Sequence, residues 1–266
     1  MPTTTPTRQT APRPRRRRSP GWAPNQHGAW AMLVVPFAVG ALHAGPSWRH
    51  VPLLAVWLVG YFAFFAAGLW LRSRLKARYL PPVRAYGIAT AVLALVVLAV
   101  AGELARWVPV YLPLLAVSLW CSWRRADRSY LNDGVTLVAA CLMTVVAAGV
   151  GSQAQRGDVW LPGSDLPEVW LLAGLLLAYF GGTVLYVKSL IRDRGNRAVH
   201  AASIGYHALV TVLAALAQPW LGAVFALLTV RAAVVPQLWP GLAARWIGLG
   251  EVVASLVLAT GLLALV

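Results

Sequence analysis

The sequence predicts an all-α fold, a polytopic bundle of about nine membrane-spanning helices with the N-terminus inside and the C-terminus outside. Three observations carry this. Of 266 residues, 59% are hydrophobic and 12% charged, where a soluble domain carries roughly 25% charged residues. The apolar residues fall into blocks about as long as a bilayer is thick, roughly 17–25 residues of helix. Lys and Arg collect in alternate connecting segments, the pattern by which cytoplasmic loops retain positive charge.

Residues 1–24 come first, a tail rich in Thr, Pro and Arg with too little apolar content to pack a core. It is expected to be a disordered basic cytoplasmic segment that lies on the anionic inner leaflet, with residues 25–266 forming the transmembrane domain. A cleaved secretory signal over 1–44 fits less well, because the basic start is long and Pro36 interrupts the apolar centre. The first apolar segment, 29–44, is entered through Pro24-Asn25-Gln26-His27-Gly28-Ala29-Trp30. That order sets Asn25, Gln26 and His27 at the water boundary and Trp30 at headgroup depth. The following segments are 52–71, 85–101, 107–122, 134–151, 169–187, 199–217, 219–236 and 248–266. The first and fourth are short and contain Pro36, or Pro109 and Pro113, so one of them is a candidate for a re-entrant rather than a full span. With the N-terminus inside, Arg49, Arg106 and Arg156 are the only ones of 23 cationic residues left on the outside.

The inner connections hold most of the polar chemistry. Residues 72–84 supply Arg72, Arg74, Lys76, Arg78 and Arg84 with no acid, which suits phosphate oxygens but is equally a plain topology signal. The next connection, 120–134, carries Arg124 and Arg125 and ends in Asn132-Asp133 just before an apolar run. Either residue serves as an N-cap or as a ligand, and an acid near two arginines can organise a site for a charged headgroup. The third, 186–200, is the richest, with Lys188, Arg192, Asp193, Asn196 and His200. His207 follows His200 by seven residues and so shares its helix face. A polar residue at that depth faces the bundle interior or bonds to a neighbouring helix. Gly181-Gly182 reads either as a helix break or as a close packing contact.

Several function classes are excluded or disfavoured. The net charge of +15 sits in short loops beside spans and carries no nucleic-acid-binding fold, so the expected partners are the bilayer and an anionic lipid or phosphorylated small molecule. His27, His200 and His207 come from distant segments without metal-ligand spacing, and no metal is expected. No nucleophile elbow, P-loop, dinucleotide fingerprint or CxxC motif occurs. Cys121 and Cys141 lie in predicted spans with no paired spacing and read as small buried hydrophobes.

The run Pro24, Gln26, His27, Gly28, Ala29 and Trp30 resembles the PxQHGAW-type signature of the YwiC-like family of bacterial membrane proteins. That resemblance implies a multi-pass protein of the bacterial inner membrane and brings no activity or cofactor with it. The layout of spans, with Ile191-Arg192-Asp193-Arg194-Gly195-Asn196 after the sixth and Trp120-Cys121-Ser122-Trp123-Arg124-Arg125 after the fourth, is also similar to the UbiA prenyltransferase superfamily. This second likeness implies a prenyl diphosphate held through magnesium by two aspartate-rich motifs. The chain departs from it around residues 70–80, where no carboxylate occurs.

The resulting expectation is a cytoplasm-facing polar site for an anionic or prenyl-phosphate-like lipid. Its ligand-binding candidates are Asn25, Gln26, Arg78, Arg124, Arg125, Asn132, Asp133, Lys188, Arg192 and Asn196, and His27, Asp193, His200 and His207 are candidates for proton transfer or catalysis. Histidine suits that role because its ordinary pKa is near ~6.5. The alternatives are a small-molecule transporter, which needs polar groups near the bilayer midplane, and a non-catalytic scaffold. Nothing in the sequence speaks to oligomeric state or to whether the chain is an enzyme.

Overall fold

The computed structural model describes residues 21–24, 29–153 and 159–264. Within them the chain forms nine α-helices and no strand: α1 Ala29–His43, α2 His50–Arg72, α3 Leu80–Val100, α4 Val108–Trp123, α5 Tyr130–Ala148, α6 Pro167–Ile191, α7 Arg197–Ala217, α8 Pro219–Leu238 and α9 Ala244–Leu263. Eight of them, α3 and α4 with the 3₁₀ turns that lead into them, are long and apolar enough to cross a membrane. The exception is α1. Its 15 residues reach about 22 Å at 1.5 Å per residue, short of the ~30 Å hydrocarbon core.

Helix starts follow local chemistry. Pro stands in the first turn of α3, α4, α6 and α8, where its missing N–H has no intrahelical acceptor to lose. Ser129 caps α5 by accepting from the Asn132 backbone N–H, so that helix begins at Tyr130 and not near 134. Asn132 and Asp133 therefore belong to its first turn and neither is the cap. Pro36 and Pro113 lie inside α1 and α4, and both helices continue through them.

The helices pack around α1, α5 and α6. α1 lies against α5, α6 and α9; α2 pairs with α3 and α4; α7 and α8 form a tight hairpin against α6. One core joins Val35, Val39, Leu172, Leu176, Phe180, Phe225 and Leu258. A second, nearer the α1–α2 turn, joins Phe37, Leu53, Trp107, Val145 and Val169. α1 and α5 touch backbone to backbone, since a Cβ on Gly40 would overlap the Thr144 carbonyl. By contrast few residues of α3 are buried, as on a helix that packs on α2 and turns its other side to lipid. Gly21–Pro24 run along α3, where Tyr86 Oη donates to the Trp22 carbonyl at 2.7 Å.

Candidate functional site

The α2–α3, α4–α5 and α6–α7 connections meet at one end of the bundle. Arg72 Nη1 lies 3.4 Å from Asp127 Oδ2, and Arg125 Nε donates to the Arg72 carbonyl at 3.2 Å. Lys188 pairs with Asp133, stands 3.6 Å over the Tyr130 ring and donates to the Arg128 carbonyl at 3.2 Å. Arg192 Nη1 reaches the same carbonyl at 3.1 Å. Of the residues expected to share a ligand, the structure thus brings Asp133, Lys188 and Arg192 together, but Lys188 and Asp133 neutralise each other across α5 and α6 and Arg192 bonds a backbone carbonyl. Arg124 and Arg78 stand apart, each over its own neighbour, Trp120 and Tyr79. Asn132 is a structural tie: Ser118 Oγ donates to its Oδ1 at 2.5 Å, and its Nδ2 donates to the Asp127 carbonyl at 2.7 Å. Asn25, Gln26 and His27 lie outside the described residues.

Beside this contact, where the α6–α7 turn approaches the end of α8, a pocket of about 220 Å³ opens. Arg194, Asn196, Arg197 and His200 form its polar wall, and Leu190, Pro236 and Pro240 contribute apolar surface. Asn196 is the N-cap of α7, its Oδ1 accepting from the Ala198 and Val199 N–H groups, which leaves its amide NH₂ unspent there. Arg194 Nε donates to the Leu190 carbonyl at 2.9 Å; that bond fixes the guanidinium while its terminal nitrogens stay available. His200 Nε2 lies 3.1 Å from the Ala232 carbonyl, which ties α7 to α8. Asp193 is not among the lining residues. Its carbonyl accepts from the Asn196 N–H at 2.9 Å to close the turn.

His207 does not reach the pocket's lining. It is buried two turns deeper, with Nδ1 2.7 Å from the Ser203 carbonyl and its ring against Gly182, where a Cβ would stand 2.7 Å from Nε2. Tyr206 packs on Gly181 in the same way and donates to the Ala178 carbonyl at 3.1 Å. The glycine pair is therefore a packing contact, and α6 runs unbroken past it.

One feature corrects the sequence reading. Arg231, counted there among inner-side charges, lies inside α8. Its Nη1 is 2.7 Å from Glu251 Oε1 of α9, and the Glu251 side chain is 8% exposed. Glu251 Oε2 accepts from Thr183 Oγ1 at 2.8 Å and from Tyr179 Oη at 3.4 Å, while the Tyr186 ring lies 4.3 Å from the Arg231 guanidinium. Each of the pair lies seven residues from the end of its helix at the α8–α9 connection, roughly 10 Å along the axis. The signal was present in the sequence, because the segments 219–236 and 248–266 each contain a single charged residue, and a charge inside a span marks function by default.

Magnesium, which the UbiA likeness implies, does not fit the donors present. The 72–84 connection has no carboxylate, Asp127 and Asp133 are committed to Arg72 and Lys188, and no group of three His, Cys, Asp or Glu residues lies together among the described residues. Mg²⁺ sites depend on carboxylates plus substrate phosphate.

Comparison with known proteins agrees with the YwiC-like resemblance. Residues 23–148 match the family described as YwiC-like protein. The chain is 34% identical over 194 residues to the uncharacterized protein YwiC of Bacillus subtilis, covering 73% of this chain and 77% of that one. It is 28% identical over 202 residues to an uncharacterized protein of Haemophilus influenzae, covering 74% and 79%. No solved structure matches the chain.

Proposed function

We propose a function from one premise, that the chain belongs to the YwiC-like family: it is a multi-pass protein of the bacterial inner membrane whose pocket at the α6–α7 turn binds the phosphate head of an anionic or prenyl-phosphate-like lipid. One observation carries the reading. The pocket sets Arg194, Arg197, His200 and Asn196 opposite apolar surface from Leu190, Pro236 and Pro240, and no carboxylate lines it. Such a wall offers charge-assisted hydrogen bonds to phosphate oxygens, and the apolar side suits the adjoining chain of an amphiphile. The cytoplasmic placement of the pocket follows from the distribution of Lys and Arg. Asp133, Lys188 and Arg192 border the site and hold α5 to α6, and His27 and Asp193 join it as candidates on sequence position alone.

The test is binding of a short-chain prenyl phosphate to the purified full-length protein. Arg197→Glu should weaken it at least tenfold, rising salt should weaken it because the contact is screened over ~8–10 Å, and chelation of Mg²⁺ should leave it unchanged. Equal binding by Arg197→Glu, or a strict Mg²⁺ requirement, refutes the reading. The Arg231–Glu251 pair favours a second reading, a transporter, since such proteins hold substrates well inside the membrane between packed helices.

A further inference from the structure

Arg231 uses only part of its guanidinium. Nη1 is taken by Glu251 Oε1 at 2.7 Å, while Nε and Nη2 are shut off from solvent and have no hydrogen-bond partner among the described residues. Those two nitrogens form the side-on fork of the group, the edge that matches the two oxygens of a carboxylate or phosphate. A buried charged donor left unmatched costs more than any other polar omission in a fold, and in the membrane no bulk water offsets it. The rest of the site is built to hold the guanidinium still: Glu251 grips one end, Thr183 and Tyr179 hold Glu251, and the Tyr186 ring supports the guanidinium face. α9 packs against α1 and α6 while α8 packs chiefly against α7, and this polar junction joins α8 to α9 beside their apolar contact at Ala232 and Ile247. Leu190, which packs with Tyr186 and Ala232, also lines the pocket, so the junction begins about one helical turn inside the pocket floor.

We propose that the Nε/Nη2 edge of Arg231 is a membrane-embedded binding site for a singly charged oxyanion, a carboxylate or monoanionic phosphate group, and that the anion enters with one proton taken up by Glu251. The proton follows from charge. As it stands the pair is neutral; an added anion would leave a net negative charge in the span, which is costly. Transfer of H⁺ from bulk water to the Glu251 carboxylate restores neutrality, and the resulting acid keeps a carbonyl oxygen as acceptor for Arg231. The groups facing Glu251 are Arg231 from α8, Tyr179 and Thr183 from α6 with Tyr186 against Arg231, and Ser255 on its own helix, whose Oγ donates to the Glu251 carbonyl at 2.7 Å. α7 brings His207 against Gly182, and α1 brings no titratable side chain before His43 at its end.

The site does not rest on the pocket reading, and the experiment separates the two. Calorimetry with acetate and with inorganic phosphate is run on the full chain in phosphatidylcholine nanodiscs, in an Arg194→Gln, Arg197→Gln background that silences the pocket. At least one anion should bind, with uptake of about one proton for acetate, and for phosphate that proton in addition to those the dianion takes on becoming the monoanion, as read from buffers of different ionisation heat. Arg231→Lys, which keeps the charge and loses the fork, should weaken binding at least tenfold. Glu251→Gln should bind but lose the pH dependence. Phosphate binding that phosphatidylglycerol competes away identifies a lipid headgroup as the source, and acetate binding that it does not touch identifies a free carboxylate; each supports the site. Absence of binding by both anions, unchanged affinity in Arg231→Lys, or binding without proton uptake overturns the proposal. The proton measurement needs no substitution at Arg231 and decides the matter even if Arg231→Lys fails to fold.

Discussion

Glu251→Ala should cost this protein more stability than Asp127→Ala at the end of the bundle. The substitution leaves Arg231, whose side chain is 21% exposed, without its counter-ion, and breaking a mostly buried pair of this kind costs up to about 3–5 kcal/mol, whereas Asp127→Ala at the half-exposed Arg72 contact should cost under about 1 kcal/mol. Thermal unfolding in a mild detergent compares them directly; equal shifts would mean that solvent reaches the pair. A second residue-scale prediction concerns Gly182. Gly182→Ala places a methyl group against the His207 ring and should destabilise by about 1–3 kcal/mol through overpacking, and His207→Ala in the same chain should recover part of that loss. At this scale the sequence was legible in type but not in partnership. Lys188, Arg192 and Asp133 are recognisable as charges near a membrane boundary. That Lys188 spends its charge on Asp133, or that Asn132 spends its amide between Ser118 and Asp127, depends on contacts made only when α4, α5 and α6 pack.

The helices themselves were readable because a bilayer-length apolar block is a strong and local signal, and eight of the blocks are helices of spanning length. Their first turns were not. α5 starts at Tyr130 because Ser129 caps it, and α3 starts at Leu80 with Pro81 and Pro82 in its first turn; hydropathy averages over both signals. The cap of α7 gives a prediction at this scale. Asn196→Ala removes the acceptor for the Ala198 and Val199 amides and should cost about 1 kcal/mol, seen as faster hydrogen exchange confined to the start of α7. Asn196→Asp should restore protection, since aspartate caps equally well.

For the molecule as a whole, the order of helices and the alternation of charge make an orientation testable. Reporter fusions at Arg125 and Arg194 should read cytoplasm, and fusions at Gly157 and after the last residue should read outside. An outside reading at Arg194 would invert the proposed placement of the pocket. Taking Arg231 out of the loop count leaves this expectation in place, because the arginines and lysines of 72–84, 124–128 and 188–197 lie in connections that meet at one end of the bundle. What sequence could not supply at this scale is the convergence of α6, α8 and α9 on one buried pair, since Tyr179 and Glu251 are 72 residues apart and nothing local to either announces the other.

The shortness of α1 and its backbone contact with α5 carry a consequence for how the protein is made. The described part of α1 is about 22 Å long, less than the hydrocarbon core, and its seat against Thr144 does not exist until α5 has been synthesised. At roughly 5–20 residues per second, the ribosome needs several seconds to add the hundred or so residues between them. During that interval the first helix must wait at the insertion machinery or at the membrane surface, and its final depth is set by a helix translated later. Nascent chains arrested before Tyr130 should leave a cysteine placed at Ala38 open to a water-soluble thiol reagent, and chains arrested well beyond Ala148 should protect it. Early membrane biogenesis of this protein is in that sense retroactive, with α1 reaching its seat only after the middle of the chain arrives.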